Sequence, residues 1–338
     1  MNTKAKIKLL GYLGQQLKEN PELLKATAQK AIYENPWFTH ENIQLALNGI
    51  VDQYLDASKL EAWMAQYNQP SEEIKTIGLV CAGNIPLVGM HDILSIFLSN
   101  NKALIKLSDK DKALPQALLK MLTETDPHCA PYFELTDRLG NYAAVIATGS
   151  NTTGQYFEKY FSHVPHIIRR NRNAVAVVTK ETTKEDLEKL GHDIFGHFGL
   201  GCRNVSKIYI EEGIKPDLIF EAIEDFGEVI NHNKYKNNYD YTYALLLMNN
   251  SDFLTNNFLI LNADPHVTSR ISTVNYEYFK DVNLLKTHLQ DIDDQIQCVV
   301  TNAEMEGLRV VPFGQAQCPT LTDYADGVDT MSFLCNEI

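Results

Sequence analysis

The stretch Thr76-Ile-Gly-Leu-Val-Cys-Ala-Gly83-Asn84-Ile-Pro86-Leu87-Val-Gly89 reads as a short apolar run that stops at a loop of glycine, asparagine and proline. That is the pattern of a strand buried on both faces that enters a turn. From Met90 to Leu98 the chain continues as a helix. The unit then repeats. Lys102 to Leu107 is a second strand, followed by polar Ser108-Asp109-Lys110 and a helix from Lys112 to Leu122, and Tyr142 to Thr148 is a third, leading through Gly149-Ser150 and Gly154 into a helix that ends near Phe161. Strand, loop and helix in this recurring order imply a parallel sheet with helices on its faces. Ligands of such sheets bind where loops leave the carboxyl ends of the strands, which is where Asn84, Lys106, Ser108 and Ser150 fall.

Working outward, residues 1 to about 70 carry helical periodicity, with Leu9, Leu10, Leu13 and Leu17 on one face, a break at Asn35-Pro36, and Thr39 placed to cap the segment from Glu41 to Leu55. Trp37, Phe38 and Trp63 read as packing residues. On the other side, Ala174 to Val178 is a fourth apolar strand. Further strands are predicted at Ser206–Ile210, Tyr243–Met248, Phe258–Leu261 and Gln297–Thr301, with helices between them, so this half reads as a second α/β domain.

Between the helical pattern of Glu185 to Phe198 and the strand at Ser206 lies Gly199-Leu200-Gly201-Cys202-Arg203-Asn204. The glycines give the backbone freedom and leave Cys202 uncrowded. A lone cysteine is either an inert small hydrophobe or, where substrate can approach it, a nucleophile, and the residues alone leave both open. Lys106, at a strand end, either snorkels to solvent or holds a phosphate or ribose hydroxyl. Asn84 either ties its own turn or aims an amide at a developing oxyanion. Asp109, three residues beyond Lys106, fits ribose hydroxyls, whereas Lys106 with Ser108 and Lys110 fits a 2′-phosphate.

Composition removes several classes of function. With 338 residues the chain exceeds what one core usually organises, and its 44% hydrophobic and 22% charged content is that of a globular protein. A net charge of −13 with no long basic cluster argues against nucleic acid as partner. The one basic run, Arg169-Arg170-Asn171-Arg172, reads as structural or as a local anion contact. Six cysteines without a CxxC pair suggest neither a zinc ribbon nor a disulfide framework. The ten histidines show no metal spacing, and His197 is the best outside candidate for a base serving Cys202. No GxSxG elbow occurs, which counts against an α/β-hydrolase. The N-terminus lacks an apolar signal core and no stretch approaches the ~18 apolar residues of a membrane span, so the expected location is cytoplasmic.

Taken together, these motifs resemble the aldehyde dehydrogenase superfamily and, within it, the LuxC-type fatty acyl-CoA or acyl-protein reductases. Asn84-Ile-Pro86-Leu87 is similar to the superfamily's oxyanion loop, Lys106-Leu-Ser108 to its cofactor strand, Thr148-Gly149-Ser150 to the turn that opens a helix against the cofactor's phosphates, and Gly199-Leu-Gly201-Cys202 to its nucleophile loop. The resemblance implies a fold of two Rossmann-like parallel-sheet domains with an N-terminal helical segment. It divides the chain into that segment at 1–70, a cofactor domain at 71–180 to which the N-terminal helices and the tail 305–338 attach, and a catalytic domain at 181–304. Cys202 and Asn84 are then catalytic, and Lys106, Ser108, Asp109, Gly149, Ser150, Gly154 and Phe313 bind the cofactor, NADPH by family expectation with NADH as the alternative. The substrate is acyl-CoA or an acyl-carrier protein, and the resemblance leaves room for a homo-oligomer.

Two departures from the superfamily stand out. The segment that carries the hydrolytic glutamate in aldehyde dehydrogenases corresponds to Ile167 to Asn173, and no carboxylate occurs between Glu158 and Glu181. A thioester on Cys202 is therefore expected to outlast hydrolysis and to be reduced or exchanged. The cofactor-gripping Glu-x-Phe-Gly is also altered, because Val311-Pro312-Phe313-Gly314 lacks the glutamate. Hydrolytic or CoA-acylating aldehyde dehydrogenases, and a non-redox acyltransferase or thioesterase using the same cysteine, are the competing expectations.

Overall fold

The computed structural model describes every residue except Gln69. The first sheet contains β1 (Thr76–Val80), β2 (Lys102–Lys106), β3 (Phe133–Leu135), β4 (Ala144–Thr148) and β5 (His166–Arg169). Its order is β3-β2-β1-β4-β5, with every pair parallel. The second contains β6 (Asn173–Val178), β7 (Val205–Glu211), β8 (Phe253–Thr255), β9 (Ile260–Ala263), β10 (Thr273–Phe279), β11 (Ile296–Val300) and β12 (Val310–Val311). Its order is β12-β11-β6-β7-β10-β9-β8, parallel except for the β8–β9 pair. The chain divides into two compact units, Met1–Asn171 with Pro319–Ile338, and Arg172–Cys318. The fold is α/β with two Rossmann-like sheets and N-terminal helices, as the motifs imply.

In the first unit, the helices before β1 share a core with the sheet's own helices. Leu10, Leu13, Leu60 and Trp63 pack in one cluster with Ile77, Ile93, Phe97, Ile105 and Leu118. Thr39 caps the helix His40–Gly49 by accepting from Asn42 N–H, and Phe38 and Trp63 are buried. Lys6 is buried in the middle of this packing. Its Nζ donates to the Phe97 carbonyl and to Asn100 Oδ1, both at 2.8 Å, and lies 4.0 Å from the centre of the Tyr132 ring. Burial lowers its pKa to about 8. The chain's last residues return to this unit, where Trp63 Nε1 donates to Tyr324 Oη at 2.8 Å.

The second unit differs from the sequence expectation in several places. Strand Asn173–Val178 pairs with β7 and β11 and belongs here, not to the first sheet. Residues 305–318 also stay in this unit, held by the β11–β12 pair, and only Pro319–Ile338 joins the first. Tyr243–Met248 is not a strand but the end of the helix Asn233–Met248. Its aromatic and leucine content looks strand-like, yet Tyr235, Tyr239 and Thr242 form a buried stripe at helical spacing that carries the helix through. Strand β10 is central and was not predicted, because polar Asn275 and Glu277 interrupt its apolar run. Both are satisfied, Asn275 Nδ2 donating to the His266 and Thr268 carbonyls and Glu277 pairing with Lys207 at 2.6 Å. Strand β7, predicted to alternate, is buried on both faces, with Lys207 enclosed by that pair and by the Asp264 carbonyl.

The basic run is structural. In the first unit, Arg169 forms a bidentate pair with Asp92, Nη2 at 2.8 Å from Oδ1, and also donates to Thr330 Oγ1 at 2.9 Å. Both partners are buried, so the pair joins β5, the helix Met90–Leu98 and the returning tail. Arg170 pairs with Glu158, and Arg172, in the second unit, donates to the carbonyls of Asp293 and Ile296. Asp92→Ala would strand a buried guanidinium and is expected to lower unfolding free energy by about 3–5 kcal/mol in urea titration. A loss below about 1 kcal/mol, the range of exposed pairs, would contradict the account.

Candidate active site

The second unit places Cys202 where a helix hands over to β7. The helix Lys184–Phe195 opens with a capping box in which Thr183 Oγ1 accepts from Asp186 N–H and Asp186 accepts from Thr183 N–H. It ends three residues earlier than its periodicity suggests. His197, Phe198 and Gly199 follow with φ of 50°, 58° and 77°, a run of left-handed residues that turns the chain sharply. For His197 and Phe198 such a backbone is strained, and strain of this kind concentrates at functional sites. Phe198 stacks on His232 with ring centres 4.2 Å apart. Residues 201–204 then make a tight turn with Cys202 at its tip, half-buried, while Gly201 and Asn204 are buried.

Two buried polar side chains hold this region. Asn204 Oδ1 accepts from Gly201 N–H at 2.8 Å, and its Nδ2 donates to the carbonyls of Asp193, Ile194 and Gly196 at 3.0, 3.3 and 2.8 Å. The Asp193 carboxylate accepts from the N–H groups of Gly314 and Ala316 at 2.6 and 2.9 Å. It thereby fixes the turn that follows Phe313, itself buried. Burial pushes the Asp193 carboxyl up to about 6, against the pull of those two donors. His197, the outside candidate for a base, is buried, and desolvation lowers it to about 4. It is therefore neutral at physiological pH and a weak proton acceptor.

The first unit gathers the other candidates at the carboxyl ends of its strands. Strands β1 and β4 flank the point where the strand order reverses, and the loops after them carry Asn84 and Gly149-Ser150. Asn84 is exposed, in a loop drawn tight at both ends: a Cβ on Gly83 would lie 2.5 Å from Ser108 Oγ, and Leu87 adopts φ of 58°. Leu87 N–H donates to Asp111 Oδ2 at 2.6 Å, which locks that conformation. Lys106 is exposed at the end of β2. Ser108 Oγ accepts from Lys110 N–H at 3.3 Å, and Asp109 lies in solvent paired with Lys112 at 2.5 Å. Ser150 is the N-cap of the helix Asn151–Phe161, its Oγ accepting from Thr153 N–H at 3.2 Å. A Cβ on Gly149 would lie 3.0 Å from Thr153 Cβ, and Gly154 is buried one turn into the helix, where a Cβ would lie 3.0 Å from Arg170 Cγ. An exposed lysine, hydroxyls and a helix N-terminus at the switch point suit a dinucleotide's phosphates and ribose. Among the described residues no cluster of histidine, cysteine and carboxylate could hold a metal, and no helix is long and apolar enough to cross a membrane.

Asp111, Asp193 and Asn204 escaped the sequence reading because none lies in a recognisable motif; only the position of Asn204 two residues past Cys202 hinted at a role. Asp111 has a consequence for stability. Burial pushes its carboxyl up to about 7, although the Leu87 N–H favours the ionised form. The folded chain thus binds this proton more tightly than the unfolded chain, whose carboxyl titrates near 3.8. The group carries no penalty below about pH 4; the penalty grows up to about pH 7 and is complete above it. Asp111→Asn is expected to match the parent near pH 4 and to exceed it in urea midpoint at pH 8. Equal differences at the two pH values would contradict this.

Known proteins resemble this chain in family and in fold. Residues 15–214, more than half of the chain, match the family model described as acyl-CoA reductase (LuxC). A comparison with curated protein sequences finds no match. Among solved structures the chain is similar to aldehyde dehydrogenase 21 from Physcomitrella patens, in complex with the product succinate, at 11% identity and a TM-score of 0.71, covering 100% of this chain and 84% of that one. The aldehyde dehydrogenase KauB from Pseudomonas aeruginosa aligns at 12% identity and a TM-score of 0.69, over 97% and 80% of the two chains. An NAD+ complex of an aldehyde dehydrogenase from Bacillus cereus aligns at 12% identity and a TM-score of 0.64, over 91% and 73%. At such identities these structures speak to the fold, and the family model speaks to the chemistry. With an aldehyde-dehydrogenase-like fold and a half-buried cysteine at the tip of a tight turn, the chain belongs to the LuxC acyl-CoA reductase family, oxidoreductases acting on acyl groups and aldehydes.

Proposed function

We propose that this protein reduces an acyl thioester, a fatty acyl-CoA or acyl-carrier protein, to the aldehyde through an acyl-Cys202 intermediate, with NADPH as reductant. The observation that carries the reading is the presentation of Cys202 at the tip of a tight turn, just after the strained residues His197 and Phe198, in a chain of the acyl-CoA reductase family. Cys202 Sγ, as thiolate, adds to the thioester carbonyl. The negative charge that develops on the carbonyl oxygen is held by the Asn84 amide and the Cys202 backbone N–H, donors worth roughly 3 kcal/mol each. Collapse breaks the carbon–sulfur bond to the carrier, which leaves as its thiolate, and the acyl group remains on Sγ.

Lys106, Ser108, Ser150 and the N–H groups at the start of the helix Asn151–Phe161 would hold the cofactor's ribose and phosphates, whereas Gly149 and Gly154, packed against Thr153 and Arg170, and the buried Phe313 would serve as supports of these loops rather than as contacts. Lys106 and Lys110 beside Ser108 favour a 2′-phosphate, and Asp109 is already engaged by Lys112. When bound, the nicotinamide supplies the hydride that reduces the acyl carbon. The same oxyanion donors then hold the second tetrahedral oxygen until it collapses to aldehyde and returns the thiolate to Cys202. No carboxylate occurs between Glu158 and Glu181 to activate water, so reduction outruns hydrolysis.

Cys202→Ala is expected to abolish labelling by radioactive acyl-CoA, and retained labelling would refute the assignment. Asn84→Ala is expected to lower kcat about 100-fold or more while leaving acylated protein detectable. Following NADPH oxidation across acyl-CoAs of increasing length tests the substrate class, and cofactor oxidation with none of them would contradict it.

A further inference from the structure

The three left-handed residues that precede the nucleophile loop raise a question of what holds them. An L-residue in this region costs about 1–2 kcal/mol, and both His197 and Phe198 occupy it. The last carbonyls of the helix Lys184–Phe195 also lack helical partners of their own. One side chain meets the second demand and brackets the first, from Gly196 to Gly201. Asn204, 2% exposed, donates from Nδ2 to the carbonyls of Asp193, Ile194 and Gly196 and accepts at Oδ1 from Gly201 N–H. Its main chain completes the set, its N–H donating to the Gly201 carbonyl at 3.1 Å and its carbonyl accepting from Ala174 N–H of β6 at 3.1 Å. One residue thus ties the helix end, the entry and exit of the Cys202 turn, and the sheet.

We propose that Asn204 is the positioning residue of the nucleophile, its carboxamide setting the turn that presents Cys202 Sγ to an acyl carbonyl; this rests on the acyl-Cys202 reading above. Asn204 touches neither substrate nor cofactor in this role. It acts by holding Gly201 and Cys202 in one geometry, its carboxamide supplying two N–H donors for the helix carbonyls and an acceptor for the turn. An aspartate there would face three carbonyl oxygens with no donor. Ser206, two residues further on in β7, is the matched control: it is also buried and spends its hydroxyl on the Val267 carbonyl at 2.7 Å, away from the turn.

The test compares Asn204→Ala, Asn204→Asp and Ser206→Ala in the full chain. It measures the single-turnover rate of Cys202 acylation by acyl-CoA, the rate of Cys202 alkylation by iodoacetamide, and the thermal shift produced by NADPH. Loss of the turn geometry is expected to slow acylation and alkylation about 100-fold in whichever Asn204 variant folds, with the NADPH shift unchanged. Ser206→Ala, destabilised by its own lost hydrogen bond, is expected to keep parental rates. A folded Asn204 variant that acylates Cys202 at the parental rate overturns the proposal, as does a loss of rate in Ser206→Ala equal to that in Asn204→Ala. Cys202→Ala run in parallel separates the two levels: if it too becomes acylated, the acyl-Cys202 reading fails and the proposal with it, whereas a folded Asn204 variant at the parental rate overturns the proposal alone.

Discussion

A single buried carboxamide, that of Asn204, closes the junction between the helix Lys184–Phe195, the Cys202 turn and β7. Helix, left-handed turn and strand meet there, and each alone leaves main-chain groups unpaired. Burying such groups without partners costs more than their pairing gains. A residue that satisfies the helix end and the turn together makes one arrangement of the Cys202 loop far better than its alternatives. The strain at His197 and Phe198 is then carried by the bonds around them, in the manner of other functional turns.

The same construction recurs in the first unit. Asp111 reaches from the polar stretch after β2 to the Leu87 N–H, across 24 positions of sequence, and fixes a left-handed residue in the loop that presents Asn84. Asp193 reaches across 121 positions to Gly314 and does likewise for the turn after Phe313. Both carboxyls are pushed upward by burial, so each holds its loop while opposing the folded state at neutral pH. Such a compromise between stability and geometry is usual where a loop must hold one shape for chemistry.

Much of this architecture could be read from the sequence. The first sheet is announced by Thr76 to Gly89, Lys102 to Leu107 and Tyr142 to Thr148, because strands buried on both faces leave continuous apolar runs. The short edge strands β3 and β5 and the polar central strand β10 left no such trace, and the leucine-rich end of Asn233–Met248 imitated a strand. The loop positions of Cys202 and Asn84 and the helix start at Ser150 were legible because they are set by neighbours in the chain. Asp111 and Asp193 were not, since theirs depend on backbone groups brought close only by folding, and the partners of Asn204 include a helix end whose position periodicity misjudged.

The central claim is that the acyl group on Cys202 leaves by reduction. It is tested most directly by giving the protein an acyl-CoA and NADPH carrying deuterium at the transferable position of the nicotinamide, and analysing the product by mass spectrometry. The account predicts an aldehyde with one deuterium on its carbonyl carbon, formed in equal amount to the NADPH consumed. Free carboxylic acid without deuterium, formed with no NADPH consumed, would contradict it.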